Sequence, residues 1–296
     1  MPEALKRWTP ILRKTLEEVL PSAEQLPNRL HEAMRYSVLA GGKRLRPVLA
    51  LCAYEACGGT DTNAILPAAA ALELLHTYSL IHDDLPSMDN DGLRRGKPTN
   101  HVVYGEATAI LAGDALQTLG GLLLSSHPEG VQWSDRRNRA CRVVFEALGS
   151  RGMAGGQVLD LEATGSSTPL SLEELEGIHR LKTGKLLQAC LVVGAVWADA
   201  PPGLEEALTR YGEALGLAFQ ITDDILDVTS GSEDLGKTAG KDLSQRKATY
   251  PALLGLEESR QRARGLLSEA VEALTPFGPA GEALKELARF SVNRKK

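Results

Sequence analysis

An all-α fold is expected for this chain. Ten segments carry apolar residues at helical spacing, and the stretches between them are rich in Gly, Pro, Ser and Asp. Strand-like alternation is scarce, and aromatic residues make up only 4%. The 296 residues are enough for a deep core, and neither a linker-like stretch nor a repeat of fixed period divides them. A single large helical bundle over residues 1–296, with a deep central cavity, is therefore expected.

The elements follow in order. Helices are expected over 3–20, 25–40 and 44–57, the last with Pro47 in its first turn, where a missing N–H costs nothing. The segment 64–84 is apolar almost all round, which marks a helix inside a bundle. Further helices are expected over 104–124, 136–150, 171–198, 203–229, 250–274 and 279–292. Ser171 and Glu174 form a capping-box pattern at the start of the seventh. Turn-rich stretches at 58–61, 125–135, 165–169, 199–203 and 275–281 separate the helices.

Hydrophobic residues make up 43% and charged residues 24%, as in soluble globular proteins. A net charge of −5 leaves no basic face for nonspecific nucleic-acid binding. Cys52, Cys57, Cys141 and Cys190 lack metal-ligand spacing and read as reduced thiols in a cytoplasmic protein. With no N-terminal leader pattern and no uninterrupted apolar run of about 18 residues, stable membrane insertion is not expected.

Two acidic clusters stand where carboxylates are least welcome. Asp83-Asp84-Leu85-Pro86-Ser87-Met88-Asp89 and Asp223-Asp224-Ile225-Leu226-Asp227 both fall at the far end of long apolar helical runs. A helix C-terminus carries about half a negative charge, so each added anion there costs up to about 1 kcal/mol. Small clusters of hard oxygen donors suit Mg²⁺, which keeps waters and completes its shell with substrate phosphate. Pro86 should distort the backbone enough to let Asp89 fold back beside Asp83. Asp223 and Asp227, four apart, project about 40° from each other on one helix face, with Asp224 to the side.

Cations gather beside these clusters. Arg94-Arg95-Gly96-Lys97 follows the first, and Gly41-Gly42-Lys43-Arg44-Leu45-Arg46-Pro47 places three cations at a helix start, where N–H groups favour anions. Lys182 and Lys185 interrupt an apolar helical run, and Lys237, Lys241, Arg246 and Lys247 populate a glycine-rich segment after the second cluster. Gly231 to Thr238 matches the phosphate-loop pattern literally. It is rejected as one: no buried strand precedes it, and Glu233 and Asp234 would repel phosphates.

Together these segments resemble the trans (head-to-tail) isoprenyl diphosphate synthases of the bacterial farnesyl diphosphate synthase type, over nearly the whole chain. The resemblance rests on the Gly41–Pro47 run, His76 through Asp91, Leu93–Thr99, Ile110–Leu116, Gly152–Gln157 and Leu181–Lys185. It continues through Phe219–Asp227, Leu235–Thr238 and Lys247–Pro251. One departure is Gly92, where relatives often carry another acid. The resemblance implies a polyprenyl synthase domain over 1–296, a homodimer, and Mg²⁺, three ions per site, held by Asp83, Asp84, Asp89, Asp223 and Asp227. It implies that Arg94, Lys182, Thr183, Gln220 and Lys237 hold an allylic diphosphate. Lys43, Arg46, His76 and Arg95 would hold that of isopentenyl diphosphate, and Gly42 and Lys247 also bind substrate. Catalysis would fall to Asp83, Asp84, Asp89, Arg94, Lys182, Asp223 and Lys237.

The same resemblance makes Tyr78, five residues and about 7.5 Å before Asp83, the floor that stops the product at C15, with the small Ser79 beside it arguing against C10. Geranylgeranyl diphosphate synthesis is the nearest alternative. A class I terpene cyclase would not need Lys43, Arg46 and His76, and a catalytically silent homologue would not keep both carboxylate sets.

Overall fold

The computed structural model describes residues 1–164, 170–229 and 248–294, and all regular structure among them is helical except for one small hairpin. Helices α1 (Glu3–Val19), α2 (Asn28–Val38), α3 (Leu45–Ala56) and α4 (Thr62–Asp83) come first. Strands β1 (Leu93–Arg94) and β2 (Lys97–Pro98) follow, then α5 (Asn100–Tyr104), α6 (Glu106–Ser126), α7 (Ser134–Leu148) and α8 (Met153–Ala163). Next come α9 (Leu172–His179), a π-helical turn (Arg180–Gly184), α10 (Lys185–Ala198) and α11 (Pro202–Thr229). The described chain closes with α12 (Tyr250–Leu254), α13 (Leu256–Ala273) and α14 (Glu282–Val292).

Local chemistry explains most boundaries. Leu5, Trp8, Leu12 and Leu16 make the single buried stripe of α1. The Asp61 side chain accepts from Asn63 N and starts α4 two residues earlier than its apolar pattern suggests. Ser171 and Glu174 form the expected reciprocal capping box of α9. Two departures are informative. Gly255, at φ +80°, breaks the expected helix 250–274 into α12 and α13. Helix α8, rich in glycine at its start, was not anticipated, because glycine is a poor helix former and its packing use does not show in the pattern.

α4 is the buried axis of the bundle, with thirteen buried residues, and α1, α3, α6 and α10 pack on it. Trp197 Nε1 donates to Ala64 O (2.8 Å), fastening α10 to the start of α4, and Tyr211 Oη donates to Leu284 O (2.8 Å), fastening α11 to α14. A second, smaller cluster of Leu175, Leu217, Ile221, Tyr250 and Leu266 lies under the far end of α11. All four cysteines are free, and burial pushes the Cys52 and Cys190 thiols up to about 12.

Charged residues interrupt every long apolar run, yet by length and composition α4, α6 and the continuous run Leu172–Ala198 are each long and apolar enough to cross a bilayer. Most of the first and third lies inside the bundle, but only 39% of the apolar window of α6 is buried. Ile110, Leu111 and Leu122 are exposed there, as are Val102 and Val103 of α5 and Phe145 of α7.

Candidate active site

The apolar α4 stops at Asp83, and the chain then folds back on itself. Asp89 N donates to Asp83 O (2.9 Å), Asn90 N to Leu85 O (3.0 Å) and Asp91 N to Asp84 O (3.2 Å). The expected return of Asp89 to Asp83 is therefore present, held by backbone bonds. The basic run Arg94–Lys97 is a tight β-hairpin whose central Arg95 and Gly96 both have positive φ (54° and 74°).

This hairpin turns Arg94 toward Asp84. Arg94 Nε lies 2.8 Å from both Asp84 carboxylate oxygens, and Nη2 lies 2.6 Å from one. Burial pushes the Asp84 carboxyl up to about 6 against the pull of Arg94, so the pair is ionic at neutral pH. Asp84 is 3% exposed and does not line the cavity that Asp83 and Asp89 border. Of the acids expected to meet metal, it is the one the structure turns away from the cavity and onto an arginine.

α11 supplies the opposite wall. Asp223 and Asp227 face the same cavity of about 460 Å³ as Asp83, Asp89 and Asp91. Asp224 also borders it, but its Oδ2 accepts from Tyr250 N (3.0 Å), as its sideways placement on the helix implied. Among the described residues, no group of three or more His, Cys, Asp or Glu converges tightly enough to hold a metal unaided. The donor set is nonetheless wholly oxygen and split between two walls, which fits Mg²⁺ completed by phosphate and water rather than a closed protein cage.

Between the walls lies the π-helical turn, a geometry that recurs at functional sites. Lys182 Nζ sits 2.7 Å from Asp160 Oδ2 and 3.8 Å from Asp83 Oδ1, and Thr183 Oγ1 donates to Gln220 Oε1 (2.9 Å). Two glycines let neighbouring helices close on this turn. A Cβ on Gly156 would stand 2.3 Å from Lys182 N, and one on Gly216 would stand 2.8 Å from Gly184 Cα.

A connected cavity of about 480 Å³ carries the cations of the other end, Lys43, Arg46 and Arg95, together with His76. Arg46 Nη1 donates to His76 Nε2 (3.0 Å). Burial, then Arg46 and Arg95, hold the His76 imidazole well below its ordinary value, so it is a neutral acceptor here. Lys43 Nζ lies 5.2 Å from the centre of the Phe290 ring. Arg95 donates to Gly41 O, and Gly42 (φ +110°) gives its guanidinium room: a Cβ there would stand 2.6 Å from Arg95 Cζ.

Several site residues escaped the sequence reading. Asp160 and Gln157, which donates to Asp83 Oδ1 (2.7 Å), belong to the unanticipated α8; the Gly152–Gln157 run was part of the resemblance, but no role was assigned to it. Arg294, paired with Asp223 and stacked 4.2 Å from the Phe219 ring centre, offered no signal in a plain basic tail. Lys237 and Lys247 lie outside the described residues. Tyr78 is buried edge-on to His82 (5.8 Å) and is not among the residues lining the cavity, and Ser79 Oγ donates to His76 O (2.8 Å).

A helical bundle with acidic walls facing each other across a cavity and a cationic pocket beside it defines an isoprenoid synthase, a prenyltransferase. The polyprenyl synthetase family model matches residues 27–277, and the chain belongs to that family. It is 48% identical to a geranylgeranyl pyrophosphate synthase of Catharanthus roseus, over 96% of this chain and 78% of that protein. It is 44% identical to the farnesyl diphosphate synthase of Bacillus subtilis (strain 168), over 95% of each. The geranyltransferase of Helicobacter pylori, solved with magnesium and isoprenyl diphosphate, superposes with a TM-score of 0.85 at 36% identity, over 99% of this chain and 97% of that one.

Proposed function

We propose that this enzyme condenses isopentenyl diphosphate head-to-tail with dimethylallyl and then geranyl diphosphate, releasing pyrophosphate and (2E,6E)-farnesyl diphosphate. The observation that carries this reading is the meeting of two carboxylate walls with an adjoining pocket rich in cations, the two sharing Arg46, His76 and Arg95. One end suits a metal-bound diphosphate and the other a second diphosphate held by Lys43, Arg46 and Arg95. The relative from Helicobacter pylori, solved with magnesium and isoprenyl diphosphate, supports the same assignment.

Asp83 and Asp89 from one wall and Asp223 and Asp227 from the other would hold Mg²⁺. Bound Mg²⁺ acts as a Lewis acid that draws charge from the departing diphosphate. The protein's own groups do the rest. Lys182 and Arg94 meet the charge that develops as the allylic C–O bond breaks, which is where catalysis needs its binding energy. Arg46, Lys43, Arg95 and neutral His76 orient the second diphosphate so that its alkene faces C1 of the allylic cation. A proton is then lost, with the departing pyrophosphate as its acceptor. Leu80, Ile178 and Phe219 line the cavity and keep water from the cation.

Chain length is read from Tyr78, a bulky buried side chain one and a half turns below Asp83. A C20 product is the second reading, favoured by the relatives that carry the geranylgeranyl name. The experiment is a Mg²⁺-dependent incubation with isopentenyl diphosphate and each allylic primer, with products resolved by length. Dominant C15 supports the first reading, dominant C20 the second, and cyclised hydrocarbon or no condensation overturns both. Tyr78→Ala is expected to lengthen the product; an unchanged distribution removes Tyr78 as the stop. The exposed apolar face of α6 fits pairing of two copies, and sedimentation as a monomer at micromolar concentration would remove that part of the proposal.

A further inference from the structure

α4 is apolar through its middle except for one buried carboxylate. Glu73 is 1% exposed and stands one turn before His76. Such a carboxylate costs several kcal/mol unless it is paired and fully hydrogen-bonded. Its partner is Arg44, 5% exposed, whose Nη1 donates to Glu73 and whose Nη2 donates to Val38 O.

Arg44 has a second peculiarity. It caps α3 with φ 51° and ψ 36°, left-handed backbone that a residue with a Cβ adopts only when its surroundings impose it. Gly41 and Gly42 before it also have positive φ (97° and 110°), so the turn has little local preference for one shape. The buried ion pair supplies the missing constraint. The residues on either side of Arg44 are functional candidates: Lys43 borders the cationic cavity, and Arg46 meets His76. Two rungs therefore join the turn to α4, Arg44 to Glu73 and Arg46 to His76.

We propose that Glu73 is a positioning residue for the second diphosphate: through Arg44 it locks the Gly41–Arg46 turn that presents Lys43 and Arg46. This rests on the reading of the cationic pocket as the isopentenyl diphosphate site. A lone carboxylate beside that pocket would repel the ligand; tied to Arg44 it adds no net charge.

The test is steady-state kinetics of Glu73→Gln, Glu73→Asp and Arg44→Lys, with KM measured separately for isopentenyl and geranyl diphosphate and Tm recorded alongside. Glu73→Gln is expected to raise KM for isopentenyl diphosphate about tenfold or more, leaving KM for geranyl diphosphate within a factor of about three. Glu73→Asp is expected to recover part of the loss. Should Glu73→Gln fail to fold, Arg44→Lys carries the same expectation. A fall in Tm with both KM values unchanged, or with both raised equally, overturns the positioning role while condensation by the wild type preserves the site reading. A wild type that does not condense overturns the site reading and the role built on it.

Discussion

α4 and α11 both deliver aspartates to one cavity, but by different physical means. α4 is buried on nearly every side, so its acids begin at its last residue, Asp83, and continue onto a turn held by three backbone bonds, Gln157 and Arg94. α11 is one-sided, and Asp223 and Asp227 stay within the helix on the face it turns to the cavity. The first wall is preorganised by its neighbours. The second rests on helix geometry, on Arg294 at the end of the described chain, and on Asp224 bound to Tyr250 N.

The sharpest way to break this contrast is to remove each wall's arginine. Arg94→Ala strips the buried Asp84 carboxyl of its cation, pushing its pKa further up and leaving it unpaired in an apolar setting, and is expected to destabilise the protein by about 3–5 kcal/mol in urea unfolding. Arg294→Ala frees Asp223, whose side chain is 38% exposed, and is expected to cost less than about 1 kcal/mol. Equal losses would mean the walls are equally preorganised. Next in size are the aspartates themselves. Asp83→Asn and Asp223→Asn are each expected to lower kcat about 10²–10³-fold, with Asp227→Asn milder because it lies one turn further along α11. A kcat for Asp83→Asn near that of the wild type would remove the first wall from catalysis.

A smaller effect concerns what lies beneath the second wall. His179 packs edge-on to Tyr250 (5.6 Å), near Glu176, Asp160 and Lys182. Burial above all lowers its pKa from 6.5 to about 4. A depressed folded-state value means the unfolded chain takes up the proton first, so the stability His179 confers is complete above about 6.5. It drains as pH falls toward 4. From pH 7 to pH 5 the expected loss is about 2 kcal/mol, read from urea midpoints. His179→Gln is expected to flatten that slope, because every other titrating group is common to the two proteins. An identical slope would show that His179 keeps its ordinary value and that the second wall is not underpinned by a neutral imidazole.

Much of the fold was legible from residue spacing. Apolar residues at helical intervals located nine of the expected ten segments within a few residues, because burial of one face dominates helix formation in a bundle. The tenth, 250–274, was seen as one helix because the φ of Gly255 is invisible in a hydrophobicity pattern. α8 was missed for the opposite reason: its glycines weaken the local helical preference and are repaid only by letting the helix close on the π-helical turn.

The site divides the same way. Asp83, Asp89, Asp223 and the cationic runs announced themselves because charge in apolar surroundings is costly and therefore conspicuous. From sequence alone came the all-α class, the anion-binding chemistry and the return of Asp89 to Asp83, since spacing, composition and Pro86 act locally. Tertiary structure alone decided that Asp84 belongs to Arg94, that Glu73 belongs to Arg44, and that Asp160 and Arg294 join the site. Partners such as Glu73 and Arg44, 29 residues apart, are chosen by how helices pack, and a carboxylate's role is set by whichever cation packing brings to it.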